Sequence, residues 1–177
     1  ASPVQIATVR AGVLSPLHPR PPRAVARESI TRSARGRVRV GACVREDDVD
    51  DLLNAPVVIG VGQGVAPEHY GELDELLALL HAELGATRKV TDRGWLPHAR
   101  QIGITGHSLA PTLFVAIGSS GRFNHLVGVR SAGTILAINP DPGAEVFGVS
   151  DIGIVGDWRE VVPLLVEQLR PLVRATG

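Results

Sequence analysis

The sequence predicts an α/β fold with a doubly wound parallel sheet, and two patterns in the chain indicate it. Short, wholly apolar runs such as residues 56–60 and 113–117 are typical of strands buried on both faces of a sheet. Between such runs, residues 68–84 carry apolar side chains at spacings of three and four, which indicates an amphipathic helix. Strands that alternate with helices form a parallel sheet covered on both faces.

The N-terminal quarter of the chain has its own pattern. Residues 4–9 and 38–44 alternate apolar and polar positions, which predicts two strands, and a Pro/Arg-rich segment lies between them. The acidic run at 46–51 predicts a short solvated helix or turn. The buried strand at 56–60 follows it directly.

The remaining elements follow in order. The helix at 68–84 is predicted to end at Gly85, since Gly is a common helix stop, and 86–90 is predicted as the next strand. Further strands are predicted at 113–117, 134–138 and 152–155, a short helix from about Phe123, and a closing helix at 158–173.

Composition limits the class of the molecule. The 177 residues suffice for one domain with its own core, and a single Cys excludes an intrachain disulfide framework. No apolar run approaches the ~20 residues that a membrane-spanning helix needs, so we expect no membrane insertion. The chain begins with Ala1 and contains no Met, which we interpret as the start of a C-terminal domain cut from a longer protein.

The formal net charge is zero, but the charges are unevenly distributed. Residues 1–45 carry nine Arg and one acidic residue, a charge of +8, and residues 46–177 carry −8. We therefore predict an N-terminal strand and Arg/Pro-rich arm at 1–45 and an α/β domain at 46–177. The arm has no aromatic residues among its arginines for base stacking, so we expect contact with a partner protein and no nucleic-acid binding.

Small and polar residues follow the predicted strands. Gly-Val-Gly-Gln-Gly at 60–64 and Gly-Ser-Ser-Gly at 118–121 each come directly after a strand. Ligands of open α/β sheets bind beyond the carboxyl ends of the strands, where backbone N–H groups and helix N-termini favour phosphate. The sequence therefore predicts a nucleotide site at this edge, with a plain tight turn as the alternative for each loop.

A series of short motifs extends this prediction. In order they read GATR-x₃-D at 85–92, GWLP at 94–97, G-x-TG at 103–106, AP-x-L at 110–113, GSSG-x₃-HL-x-G at 118–128, AIN-x-DP at 137–142 and D-x-G-x-V-x-D at 151–157. Their order and spacing resemble the C-terminal, FAD-binding part of the α subunit of electron transfer flavoprotein. The resemblance covers nearly the whole chain, more loosely at residues 10–40.

The resemblance implies a fold, a cofactor and partners. The family's fold is a doubly wound parallel sheet like the NAD/FAD-binding domain of deoxyhypusine synthase. A member binds FAD, forms a heterodimer with a β subunit, and acts as an electron carrier rather than an enzyme with its own substrate. Its single electrons come from dehydrogenases, such as acyl-CoA dehydrogenases, and go to a quinone oxidoreductase. We expect a bacterial cytoplasmic protein, or a mitochondrial matrix protein if the source is eukaryotic.

The resemblance also implies which residues contact FAD. Arg88 matches an arginine over the flavin ring, Thr105 the residue whose hydroxyl reaches flavin N5, and His125 the histidine near flavin O2. Asn139 and Asp157 match residues that hold the AMP end. The other expected contacts are Thr87, Gly106, Ser119, Ser120 and Gly121.

The chain departs from the family pattern beside the expected flavin ring. Ile104 stands where the family usually has Gln, and His107 where it usually has Lys. These departures leave two alternatives open, a non-redox AMP-binding or assembly module and a paralogue with a different redox partner. An NAD-dependent enzyme on the same fold is a third alternative, but Lys89, the only Lys, lies in no recognisable catalytic motif.

Overall fold

A computed structural model of the chain describes residues 49–175 and the single position Ser29. The predicted strands at 4–9 and 38–44 lie outside the described residues. The division of the chain into an arm at 1–45 and an α/β domain therefore stays a prediction. Part of the predicted acidic helix is described, and it begins at Val49.

The described residues form one five-stranded sheet in which every paired strand is parallel and the order is β2-β1-β3-β4-β5. The strands are β1 (Val57–Val61), β2 (Glu83–Ala86), β3 (Leu113–Ile117), β4 (Thr134–Asn139) and β5 (Ile152–Val155). The helices are α1 (Val49–Asn54), α2 (Asp74–Leu80), α3 (Arg88–Asp92), α4 (Phe123–Leu126) and α5 (Trp158–Ala175). Short 3₁₀ helices lie at Pro67–Leu73, His98–Arg100, Val127–Val129 and Glu145–Gly148. The predicted α/β class with a parallel sheet is confirmed.

The central strands are apolar at nearly every position because helices and loops cover both faces. Successive side chains of a strand point to opposite faces of the sheet. Ile59 and Val115 belong to one buried core, which α2 and α5 cover. Val58 and Phe114 belong to a second core on the other face, where Leu52 of α1 packs. Within the described residues, no helix is long and apolar enough to cross a membrane.

The predicted helix at 68–84 forms as the 3₁₀ helix Pro67–Leu73 followed by α2 (Asp74–Leu80). The prediction is wrong at its C-terminal end, because α2 stops earlier. His81 adopts a left-handed conformation with φ 49°, and the Ala82 N–H donates to the Leu77 carbonyl at 2.9 Å. This hydrogen bond and this conformation form a Schellman helix stop, with His in the position where Gly is usual. Gly85, the predicted stop, lies in β2 instead.

The strand predicted at 86–90 is also wrong, because the chain leaves the sheet after Ala86. β2 pairs with β1 through Gly85 and Ala86, and residues from Arg88 onward turn into α3. A Cβ on Gly85 would lie 2.5 Å from the end of the Ile102 side chain, which would then have to shift. As a result, Arg88 stands on a short helix at the carboxyl end of β2 rather than inside a strand.

β5 is less buried than its apolar sequence predicts. Among the described strands it pairs only with β4, and Ile152 and Val155 are 51% and 58% exposed. An apolar run cannot reveal whether a further element covers the strand. The other predicted strands and the short helix at Phe123 agree with the structure to within a residue or two.

Candidate functional site

A cavity of about 410 Å³ opens at the carboxyl ends of β1, β2 and β3. Its lining includes Gly62 and Gln63 after β1, residues 87–89 after β2, and residues 118–120 after β3. The loop before α4 and the 102–105 segment complete it. In a sheet of order β2-β1-β3, the chain reverses its direction of winding between β1 and β3, which is where such sheets bind ligands.

Two glycine loops meet at the floor of the cavity. The Gly62 N–H donates to the Ile117 carbonyl at 2.9 Å, and the Gly64 N–H donates to the Gly118 carbonyl at 3.0 Å. A Cβ on Gly62 would lie 2.2 Å from the Gly118 oxygen, and Gly118 itself has φ +60°. The loops need Gly for this backbone contact, which joins two motifs that lie far apart in the sequence.

The charged side chains of the cavity favour an anion. Arg88, Lys89 and Arg122 line it, and none of the described lining residues is acidic. Arg88 pairs with Asp92 at 3.2 Å, with 64% of the Arg88 side chain exposed. A pair this exposed contributes only about 0–1 kcal/mol, so an anionic ligand can draw the guanidinium into the cavity.

A further arginine lies beside the β1 loop. When the Gln63 amide is oriented by its hydrogen bonds, its oxygen accepts from the Arg93 guanidinium at 2.9 Å. The same guanidinium lies over the Trp95 ring, 5.0 Å from its centroid. Arg93 therefore adds positive charge next to a residue of the cavity wall.

His125 lines the cavity, and its two ring nitrogens differ. Nδ1 is within hydrogen-bond distance of a carbonyl, whereas Nε2 has no hydrogen-bond partner among the described residues. Its Nδ1 lies 3.1 Å from the Ile102 carbonyl oxygen, which can only accept, so Nδ1 carries the hydrogen. Burial lowers the pKa of His125 below its ordinary value, although the hydrogen bond to Ile102 acts in the opposite direction. The ring is therefore neutral near pH 7, and its Nε2 is an acceptor.

Nε2 of His125 is buried and has no hydrogen-bond partner among the described residues. Leaving such an atom unpaired costs about 1–3 kcal/mol, and polar atoms in this state are uncommon in folded proteins. Because His125 lines the cavity, a ligand that enters it can supply the missing donor.

The comparisons with known proteins decide the family. Residues 51–130 match the family model described as the electron transfer flavoprotein FAD-binding domain. The chain is 43% identical over 123 residues to electron transfer flavoprotein subunit alpha of Bacillus subtilis, a match that covers 69% of this chain and 38% of that protein. It is 39% identical over 131 residues to the mitochondrial subunit alpha of Arabidopsis thaliana, covering 73% of this chain and 36% of that protein.

The chain belongs to the electron transfer flavoprotein α-subunit family. The predicted family and its cofactor, FAD, are thereby confirmed, since the matched domain is an FAD-binding domain. The chain spans less than half the length of the curated relatives that it matches. The unpartnered Nε2 of His125, the cationic lining and the glycine floor all fit a dinucleotide that carries phosphates and a polar ring.

The structure brings six of the residues expected from the electron transfer flavoprotein family to this cavity. They are Thr87, Arg88, Thr105, Ser119, Ser120 and His125. These residues come from three separate segments of the sequence, and folding brings them together at one cavity. Their roles as FAD contacts stay predictions.

Two of the expected residues do not line the cavity and instead brace a loop or a helix. Asn139 is buried, and its Nδ2 donates to the Ser119 carbonyl at 2.9 Å, so it supports the loop after β3. Asp157 is exposed, and its Oδ1 accepts from the Arg159 N–H at 2.9 Å in the first turn of α5. Neither residue lines the cavity.

Two expected glycines serve close packing and do not line the cavity. A Cβ on Gly106 would lie 2.2 Å from the Gln101 carbonyl oxygen. A Cβ on Gly121, which has φ +77°, would lie 2.1 Å from the Val146 nitrogen. Both positions therefore shape the segments that carry cavity residues.

The lining also contains residues that the expected set omits. They are Gly62, Gln63, Lys89, Ile102, Ile104, Gly118, Arg122 and Asn124. Most are sequence neighbours of expected residues, so their adjacency in the sequence could have indicated that they line the site. The loop that carries Gly62 and Gln63 was already predicted at the nucleotide site, and the strand order, with β3 beside β1, shows that it faces the other glycine loop.

Proposed function

We propose that the cavity at the ends of β1, β2 and β3 holds FAD, and that the domain carries single electrons as part of a heterodimer with a β subunit. The observation that carries this proposal is a cationic cavity whose lining includes His125, a residue with a buried and unpartnered Nε2. Bound FAD supplies the one-electron oxidation and reduction, and the chain supplies binding, orientation and charge.

The phosphates of FAD are best matched by the glycine floor and the residues around it. The loop at 118–120 consists of small residues and lines the cavity, so its backbone can approach a phosphate closely. Ser120 adds a hydroxyl, and Arg122 adds a permanent charge at the same end of the cavity.

The flavin ring is best matched by the wall that Arg88, Thr105 and His125 form. The Arg88 guanidinium is a cation, so it favours a ring that becomes more negative on reduction. Neutral His125 accepts a hydrogen bond at Nε2, and it becomes a donor there if that atom takes up a proton. The wall therefore offers a fixed positive charge and a hydrogen-bonding ring nitrogen to a flavin that becomes more negative.

We further propose the partners that the family suggests, with flavin dehydrogenases as donors and a quinone oxidoreductase as acceptor. The +8 charge of residues 1–45 supports an electrostatic contact between this segment and an acidic surface of a partner, such as the β subunit. The bacterial and mitochondrial relatives support a location in the bacterial cytoplasm or the mitochondrial matrix.

The test is to co-express the full chain with a β subunit, purify the complex, and record its visible absorption spectrum. The nucleotide is then released by denaturation and identified. Stoichiometric FAD in an α/β complex is the expected result. AMP without flavin would instead support the non-redox assembly module. The reason for this alternative is Ile104, which lines the cavity where the family usually has Gln. A complex with no nucleotide would contradict both.

A further inference from the structure

Gln101 is a buried polar residue that does not line the cavity but lies directly behind it, with 5% of its surface exposed. Its backbone is fixed from two sides, since its N–H donates to the His98 carbonyl at 3.0 Å and its carbonyl accepts from the His107 N–H at 2.7 Å. It also forms a parallel bridge to Ala86 at the end of β2. The backbone that carries this side chain is therefore held in place.

The Gln101 side chain connects two threonines. Thr91 Oγ1 on α3 donates to Gln101 Oε1 at 2.7 Å, and Gln101 Nε2 donates to Thr105 Oγ1 at 2.9 Å. Thr91 is 2% exposed, and its hydroxyl also lies 2.9 Å from the Arg88 carbonyl. The result is a chain of hydrogen bonds that runs from the inside of α3 to the cavity wall.

This chain of hydrogen bonds has a direction. An amide NH₂ group can only donate, and an amide oxygen can only accept. Because Nε2 donates to Thr105 Oγ1, the Thr105 oxygen is the acceptor in that bond, and its own hydrogen is left for a different acceptor. Thr105 lines the cavity, so a ligand in the cavity is positioned to receive that hydrogen.

We propose that Gln101 is a positioning residue that makes the Thr105 hydroxyl a hydrogen-bond donor toward the flavin ring of FAD. Thr91 supports this role by giving its one hydroxyl hydrogen to the Gln101 oxygen at 2.7 Å, in competition with the Arg88 carbonyl at 2.9 Å. The proposal rests on the proposed function, since it requires FAD in this cavity. A donor aimed at a ring atom stabilises the ring more strongly as its negative charge increases, so the network favours reduction.

The main test compares Gln101→Met with Thr105→Val and with the double variant, in the holoprotein purified with its β subunit. Met has a similar volume to Gln but no amide. Each single change should weaken FAD binding by about two- to ten-fold and lower the reduction potential of the bound flavin. The double variant should show little further change, because both substitutions remove the same donor. The matched control is Gln168→Met on the exposed face of α5, which should leave both quantities unchanged.

If Gln101→Met fails to fold or to bind flavin, a second pair of variants tests whether Gln101 positions the Thr105 hydroxyl. Thr91→Ser keeps the hydroxyl that holds the Gln101 oxygen, and Thr91→Val removes it. We expect a wild-type potential for Thr91→Ser and a lowered one for Thr91→Val.

Three results would overturn the proposal while leaving FAD binding by the wild type intact. They are fully additive effects of Gln101→Met and Thr105→Val, an unchanged potential in both Gln101→Met and Thr91→Val, or a potential that rises in these variants. A wild-type protein without FAD would instead contradict the proposed function itself.

Discussion

His125 stays neutral because its surroundings give a charged ring no compensation. The Phe114 ring lies nearby, with a centroid distance of 6.0 Å, and Nδ1 already donates to the Ile102 carbonyl. Burial therefore lowers the pKa of His125 in the folded chain. In the unfolded chain the same histidine titrates near its ordinary pKa of about 6.5.

This difference predicts a loss of stability in acid. As the pH falls below about 6.5, the unfolded chain binds a proton at His125 that the folded chain does not bind, so the free energy of unfolding decreases. His125→Asn keeps an N–H for the Ile102 carbonyl but removes the titrating group. Urea unfolding between pH 7.5 and 5 without FAD should show a steeper loss for the wild type than for His125→Asn. Parallel curves would contradict a depressed pKa at His125.

Single residues differ in how well the sequence reveals them. His125 and Thr105 could be placed at the site from motif spacing, because each belongs to a local motif. Gln101 could not, since its importance lies in contacts with Thr91 and Thr105 that exist only after folding. Gly106 was expected at the cofactor, and its actual constraint is the Gln101 carbonyl behind it.

The connection from α2 to β2 shows where the prediction of elements failed. Leu84 continues the apolar spacing of α2, so periodicity alone extends the helix to it, yet it lies in β2. The actual stop depends on the left-handed backbone conformation of His81. Gly commonly adopts this conformation at a helix end and His rarely does, so the sequence did not indicate a stop here. The central strands β1, β3 and β4 were predictable because strands buried on both faces are apolar throughout.

The stop at His81 leads to a second prediction. His81 is exposed, and its left-handed backbone costs roughly 1 kcal/mol more for a residue with a Cβ than for Gly. His81→Gly removes that cost but increases the freedom of the unfolded chain, so we expect a net gain of somewhat less than about 1 kcal/mol. Chemical unfolding of the full chain measures this value.

His81→Ala is the matched control, because it removes the imidazole but keeps the Cβ. It should give no gain in the free energy of unfolding. An equal gain in both variants would show that the imidazole, and not the backbone conformation, carries the cost.

The whole chain is neutral, but the charges around the cavity are not. Arg88, Lys89 and Arg122 line it without an acidic residue among the described lining positions, while acidic side chains lie elsewhere on the domain. The net charge of the sequence could not reveal this local excess, because it arises when two separate segments, the start of α3 and the loop before α4, meet at one edge of the sheet.

The third prediction concerns this local charge. Arg122→Gln should weaken FAD binding by roughly ten-fold at low salt, and the difference from the wild type should shrink as salt screens the charge. Arg170→Gln is the matched control, since Arg170 pairs with Glu75 on another part of the surface. Fluorescence titration with FAD at several salt concentrations measures both. An equal effect of the two substitutions would show that Arg122 acts only through the overall charge.

The pairing of β1 with β3 also determines when the site can form. Val61 pairs with Ile117, and α2, β2 and α3 all lie between them in the chain. Closing so long a loop costs chain entropy, and non-local pairing of this kind slows folding. The two glycine loops meet only after this closure, so a partly folded chain has no floor on which phosphate can bind. We therefore expect FAD to bind after this closure and to stabilise the folded domain by mass action.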